Sequence, residues 1–292
     1  MLSPSAQPAI LSPLPPCGRS LVFQRRSGVD SRTAVSQLAR SFDVAWGALG
    51  IGAALAVSLD RPIKGLRPFL AVDTPAGLIP SNQGDLWIFL RGPDRATIFD
   101  RSAQLGAILE HAFFLADSID TFSYRGRDLT GYIDGTENPK GKKRNAAALV
   151  GPGALAASSF VVVQRWAHDF AAFNRHTPAE RDDMIGRRKE TNEELSEAPA
   201  SAHVKRSAQE SFDPEAFMYR RSMPWSEGGA HGLEFIAYGR SLDAFDQIMR
   251  RMSGQEDGIV DALFTFSKPI TGGYYWCPPV NGGRLDLAAL GL

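Results

Sequence analysis

The run Gly131-Tyr132-Ile133-Asp134-Gly135-Thr136-Glu137-Asn138-Pro139 sets one carboxylate between two glycines and follows it with turn formers. Glycine has no Cβ, so the chain there can take dihedrals closed to other residues and lie close against a ligand. An aspartate framed in this way has two readings. It can bond its own backbone as a turn residue, or it can stand in a pocket as a movable base that takes and returns a proton.

Five histidines, His111, His168, His176, His203 and His231, offer further groups for ligation or proton transfer. None pairs with another at i, i+4 around a Glu, and neither cysteine lies near one, which argues against zinc. Read singly, each is an ordinary surface or satisfied core histidine. No Gly-x-Ser-x-Gly elbow and no Walker loop occurs, which argues against hydrolase and nucleotide chemistry. Gly50-Ile51-Gly52 lacks the third glycine of a dinucleotide fingerprint, because Leu55 stands in its place.

The 292 residues suffice for one large domain or two ordinary ones with a sizeable core. Hydrophobic residues at 43% and charged residues at 22% are usual for a soluble globular chain. Net charge is zero, whereas a nucleic-acid partner requires a basic face, so none is expected. The basic run Arg187-Arg188-Lys189 is answered by Glu190, Glu193 and Glu194 and reads as a solvated helix face. Cys17 and Cys277 make no disulfide framework, and a reducing, cytoplasmic setting is expected. The N-terminal residues lack a basic region and an unbroken apolar run, so no secretory signal is expected. The uncharged stretch 44–59 is shorter than the ~20 residues of a membrane span and reads as a buried small-residue helix. No membrane partner is expected.

The elements that must position these groups look duplicated. Leu21-Val22-Phe23-Gln24-Arg25 is similar to Val161-Val162-Val163-Gln164-Arg165, and each leads into a helical pattern, 31–42 and 167–174. At nearly the same spacing, Leu86-Trp87-Ile88-Phe89-Leu90-Arg91-Gly92 aligns with Leu233-Glu234-Phe235-Ile236-Ala237-Tyr238-Gly239, with helices predicted over 95–116 and 241–252. About four strands per half favour an α+β chain of two ferredoxin-like halves, with helices packed on antiparallel sheets. The halves are 1–139, ending in the Gly-x-x-Asp-Gly loop, and 140–292, with 140–144 as the connector. Thr177, Pro178 and Glu180 form a capping box that starts a helix, and a loop over 196–202 then delivers His203.

Several segments together resemble the dye-decolourising peroxidases, a family of haem enzymes. They are Gly-x-x-Asp-Gly with Arg127-Asp128-Leu129-Thr130 before it, Ala198-Pro199-Ala200-Ser201-Ala202-His203, Tyr219-Arg220-Arg221-Ser222, and Pro269-Ile270-Thr271-Gly272-Gly273. The resemblance covers nearly the whole chain, and its compact form is similar to the bacterial class B subgroup. It implies a haem-dependent peroxidase that reduces hydrogen peroxide and oxidises dyes, phenols or similar one-electron donors. The cofactor would be haem b, one iron per chain, held in the C-terminal half under the 131–138 loop.

The resemblance assigns His203 as the iron ligand and Asp261 as the carboxylate on its other ring nitrogen, with Asp257 as the fallback. It makes Asp134 the proton shuttle and Arg220 the cation opposite peroxide, because an Arg-x-Ser frame selects Arg220 over Arg221. Ser222 would hold a distal water. Arg187 would meet the haem propionates, and Asn138 would lie over the haem edge. Electrons from bulky donors could enter through a surface Trp or Tyr. A homo-oligomer is implied as well. Some relatives enter protein nanocompartments through a C-terminal extension, and none is expected after the apolar run 285–292. The alternative is a haem-binding or haem-handling protein with incidental peroxidase activity, which would need His203 and Asp261 but not Asp134 with Arg220.

Overall fold

The computed structural model describes residues 3–292. Ten strands share the main sheet: β1 (Cys17–Arg25), β2 (Gly47–Ile51), β3 (Leu86–Gly92), β4 (Phe113–Phe122), β5 (Ser159–His168), β6 (Tyr219–Arg220), β7 (Met223–Glu227), β8 (Ala230–Gly239), β9 (Ser267–Pro269) and β10 (Gly273–Cys277). All pairings are antiparallel. The first half runs β4-β1-β3-β2 and the second β10-β5-β8-β7, so each half has its first and third strands in the middle. Short β9 extends the edge of β5 beside β10, and β6 extends the edge of β8 beside β7. These are two ferredoxin-like halves, and the similar runs seen in the sequence are their matching central strands.

The two sheets also join. Thr121 pairs with Trp225 between β4 and β7, and Ile51 pairs with Trp276 between β2 and β10. The sheet thereby closes on itself, which removes exposed edges. Strand side chains alternate between faces. In β3, Leu86, Ile88 and Leu90 pack outward under helices. Trp87 and Phe89 point inward among Val161, Val163, Ile236, Tyr238 and Tyr275. Trp87 stacks on Tyr275 at 6.0 Å and donates its indole N–H to Ser20 Oγ at 2.9 Å.

One charged cluster lies on that inner face. Arg165 of β5 donates to Glu234 of β8 at 3.2 Å and to Asp117 of β4 at 2.7 Å, tying the second half to the first. Burial raises the Glu234 carboxyl, against the pull of Arg165. Burial alone would lower the Arg165 guanidinium, but Glu234 and Asp117 outweigh it. Arg165→Met leaves Glu234 buried without its cation, and a loss of about 3–5 kcal/mol is expected. A urea midpoint equal to wild type would contradict the clamp.

The structure corrects several element assignments. The stretch 44–59 is not one helix but strand β2 followed by the helix Ala53–Ser58. A short, continuous apolar run reads alike as a buried strand or a buried helix. Gly47 suits the strand, since a Cβ there would sit 1.8 Å from the Phe89 carbonyl oxygen of the adjacent strand β3. Strand β5 continues to His168, so its helix begins only at Phe170. The helix expected over 95–116 ends at Leu109, and Phe113 already starts β4. Most of the connector belongs to a helix, Gly141–Ala148.

The helices of the two halves differ in what they cover. Helix Arg32–Ser41 lays Val35 and Leu38 directly into the first core. Helix Asp243–Met252 buries Phe245, Ile248, Met249 and Met252, one stripe at helical spacing. That stripe meets the sheet through Phe245, which packs against Phe235 and Tyr274, and its remaining length walls a cavity.

Candidate active site

The cavity lies between helix Asp243–Met252 and the outer face of the second-half sheet, a concave and mostly apolar hollow of the kind that takes cofactors. Alternation along β5 turns Gln164, Trp166 and His168 toward it, while Leu233 and Phe235 face it from β8. A second hollow of about 700 Å³ adjoins it, and Asp134, His203 and Arg220 line both.

His203 opens the four-residue helix His203–Arg206. Its Nδ1 lies 2.8 Å from Asp261 Oδ2, and Nε2 has no protein partner among the described residues. Asp261 is fully buried. Its Oδ1 caps the turn Ala262–Thr265 through the Leu263 N–H at 2.8 Å. The Ala262 N–H donates to the Ser201 carbonyl at 2.8 Å, binding this turn to the loop before His203. Asp257, the fallback, is instead paired with Arg206 at 2.6 Å, which holds its carboxyl down at about 2.

Opposite stand the loop aspartate and the strand arginine. Gly131 and Gly135 have φ of +88° and +77°, the left-handed region that glycine alone enters freely. A side chain at Gly135 would also meet Asn138 Nδ2 at 2.8 Å. Asp134 Oδ1 lies 3.8 Å from Arg220 Nε, which is buried and has no hydrogen-bond partner. Strand parity separates the neighbouring arginines. Arg220 faces the cavity, while Arg221 turns toward the Ser12 carbonyl and the Tyr219 ring. Ser222 Oγ is buried without a partner and lines a third hollow of about 550 Å³ with Asp134 and Arg220.

Asn138 sits differently from the expected place over a cofactor edge. Its amide accepts from the Arg220 N–H and donates to the Arg220 carbonyl, both at 2.9 Å, acting as a strand partner. Asn138→Ala removes two such bonds at about 1 kcal/mol each and frees the backbone that aims Arg220. The expected result is a lower unfolding midpoint in urea, and a midpoint equal to wild type would contradict this bracing of the Arg220 strand.

Arg187 lines the second hollow, but Glu137 at 2.5 Å and Glu194 at 2.6 Å already engage its guanidinium. Sequence reasoning missed a further pair. His168 Nε2 lies 3.3 Å from Asp128 Oδ1, its Nδ1 lies 2.7 Å from Ser267 Oγ, and both His168 and Asp128 line the main cavity. Burial alone would raise the Asp128 carboxyl, but His168 and Thr130 outweigh it and hold it below the usual range. The alternation Gln164, Trp166, His168 was the available signal, lost because the strand was ended too early.

Residues 125–282 match the family model described as Dyp-type peroxidase, C-terminal. The chain is similar to the dye-decolorizing peroxidase of Mycobacterium tuberculosis, 31% identical over 230 residues covering 76% of this chain and 68% of that one. Among solved structures, the dye-decolorizing protein from V. cholerae superposes with TM-score 0.84 at 29% identity, over 94% of this chain and 97% of that one. A variant of Rhodococcus jostii DypB in complex with heme gives TM-score 0.86 at 26% identity, over 92% and 95%. The family match begins ahead of the 131–138 loop and so includes Asp134.

Proposed function

The chain belongs to the dye-decolourising-type peroxidases, haem enzymes that reduce hydrogen peroxide, and from that premise we propose how its own residues divide the work. The observation that carries the proposal is the shared cavity wall. His203, held by a buried carboxylate, faces the same space as Asp134 and a partnerless Arg220 Nε. An apolar hollow with one free imidazole nitrogen and orphaned polar atoms at its wall fits haem b, one iron per chain. Bound haem supplies a redox centre that accepts two oxidising equivalents from hydrogen peroxide and passes them on singly.

His203 Nε2 is the iron ligand in this proposal. Asp261 Oδ2 accepts a hydrogen bond from the Nδ1–H, which fixes the tautomer and makes the ring a stronger donor. Asp134 takes the proton from one peroxide oxygen and returns it to the other as that oxygen departs as water. Arg220 offers a fixed cation to the negative charge that develops between them, and its missing partner means that no bond must break first. Ser222 Oγ holds a water beside Asp134, and the third hollow offers peroxide a path to both. Arg187 meets a cofactor propionate if Glu194 yields its place. Asn138 serves the site by aiming Arg220, with the 135–138 turn beside it.

Donors are dyes, phenols or similar molecules that give one electron at a time. No helix among the described residues is long and apolar enough to cross a membrane. A cytoplasmic homo-oligomer, with halves 1–139 and 140–292, belongs to the same proposal on resemblance and cysteine usage. A carboxylate as base predicts activity that persists into mildly acidic pH. A peroxide rate that follows a group titrating near ~6.5 would instead mark an imidazole. A protein that only carries haem has no use for Asp134 and Arg220 together. Peroxide turnover in variants that lose either residue but keep haem separates the two roles.

A further inference from the structure

His168 and Asp128 are titratable groups in the wall of the main cavity that the proposed peroxide step does not use. His168 is the last residue of β5, and strand alternation turns its ring into the cavity beside Phe170 and Phe266. Its Nδ1 lies 2.7 Å from Ser267 Oγ on the neighbouring strand β9, and its Nε2 lies 3.3 Å from Asp128 Oδ1. Asp128 is in turn the hub of a closed turn. Its Oδ2 accepts from the Thr130 N–H at 2.8 Å and from the Thr130 hydroxyl at 2.5 Å. Its N–H donates to the Tyr132 carbonyl at 2.8 Å, and its carbonyl accepts from the Gly131 N–H at 2.9 Å. Asp134 follows shortly after that turn closes.

The loop that carries Asp134 is therefore held at two ends. Asn138 pins the far end to the Arg220 backbone. At the near end, Arg127 donates to the Gly131 carbonyl at 2.7 Å, and the Tyr132 hydroxyl donates to Asp182 Oδ1 at 2.6 Å. Among the described residues, His168 is the one side chain of the second-half sheet that hydrogen-bonds this near end. We propose that His168 is a positioning residue for the peroxide step. It acts through Asp128 to fix the near end of the 131–138 loop, and so the place of the Asp134 carboxylate opposite Arg220. This role rests on the reading of Asp134 as proton shuttle given above.

Burial alone would raise the Asp128 carboxyl, but His168 and Thr130 outweigh it, so the group is ionised and only accepts. His168 Nε2 then carries the proton between the two, and in the neutral ring Nδ1 accepts from the Ser267 hydroxyl. Without the ring, a buried carboxylate oxygen loses its donor, and the strain is relieved when the turn carries Asp128 toward water. A displacement of about 1 Å at a reacting group can lower its rate on the order of 10²-fold. A pair with a merely structural role would stabilise the cavity wall and leave Asp134 where it stands.

The test compares wild type, haem-loaded and haem-free, with His168→Phe, His168→Gln and Asp128→Asn. In His168→Phe, haem content and Soret position stay as in wild type, while the rate of reaction with peroxide falls at least about tenfold. His168→Gln, whose amide can still donate to Asp128, recovers to within about threefold of wild type. Added to Asp134→Asn, His168→Phe costs less than about twofold more, because it acts through that carboxylate. Hydrogen exchange in peptides covering 128–138, read by mass spectrometry, is faster in His168→Phe with or without haem. Should His168→Phe not fold, Asp128→Asn reads the same step. One amide oxygen cannot accept from both His168 and Thr130, so the same peroxide loss and faster exchange are expected. A wild-type peroxide rate or unchanged exchange in these variants overturns the positioning role. A fully additive loss in the double variant overturns it too, as does a His168→Gln as slow as His168→Phe. A matching loss of haem also overturns it, by reducing the pair to part of the cofactor's wall. Asp134→Asn reacting with peroxide at the wild-type rate removes the shuttle itself and the positioning role with it. That case is told apart by haem-free His168→Phe, in which loop exchange still quickens.

Discussion

His203→Ala is expected to abolish ligation of the cofactor and with it the Soret absorbance of the purified protein. Among the described polar groups of the cavity, His203 alone combines a free ring nitrogen with a buried carboxylate on the other one. A ligand fixed at both ends has its orientation set before the metal arrives, which is what outer-shell partners provide. Removing the ring leaves Asp261 fully buried with its Oδ2 unpaired, so the local turn at Ala262–Thr265 is also destabilised. Asp261→Asn separates the two effects. It keeps a hydrogen-bonding group at the position but weakens the pull on the ring, and haem affinity is expected to fall about 10–100-fold. Wild-type haem content and spectrum in purified His203→Ala would remove the ligand assignment outright.

The second large effect belongs to the opposite wall. Asp134→Asn keeps the loop's shape and hydrogen bonding but cannot take a proton. Its rate of reaction with peroxide should fall by about 10²–10⁴-fold, the range of a lost general acid–base. Arg220→Leu removes the cation proposed to face the charge that develops, and a drop of about 10²–10³-fold is expected. Both variants should retain haem, since neither touches His203 or Asp261. With Asp134 Oδ1 3.8 Å from Arg220 Nε, the proposed roles fall on one step of the reaction, so their losses should not add in the double variant. Stopped-flow absorbance after mixing with peroxide measures each directly. Near-wild-type rates in both would leave the protein a haem carrier.

Much of this arrangement was legible in the sequence. The repeated runs around Leu21 and Val161, and around Leu86 and Leu233, are the paired central strands of two similar halves. The glycines flanking Asp134 did mark left-handed turns, and strand parity did separate Arg220 from Arg221. Closure of the sheet was not legible, because it depends on two single contacts, Thr121 with Trp225 and Ile51 with Trp276, between distant segments. The burial of Asp261 was equally hidden. A carboxylate in Asp257-Gly258-Ile259-Val260-Asp261 looks like a surface acid until the turn after it folds back on Ser201. Asn138 illustrates a third limit. Its composition suited a turn near a ligand, yet its amide is committed to the Arg220 backbone, a partner 82 residues away. Tyr132 was visible only as an aromatic between Gly131 and Ile133, and Asp182 as one acid in a charged helix. Their contact across the cavity wall is a product of the tertiary fold.

The central claim is that the cavity bounded by His203, Asp134 and Arg220 holds haem in a form that reacts with peroxide. Titrating haem into the purified protein, followed by its absorbance before and after one equivalent of hydrogen peroxide, tests that claim most directly. The expected result is a Soret band that saturates at one haem per chain, changes on adding peroxide, and returns when a phenolic donor follows. A protein that gives no saturable band, or a band that peroxide leaves unchanged, would contradict it.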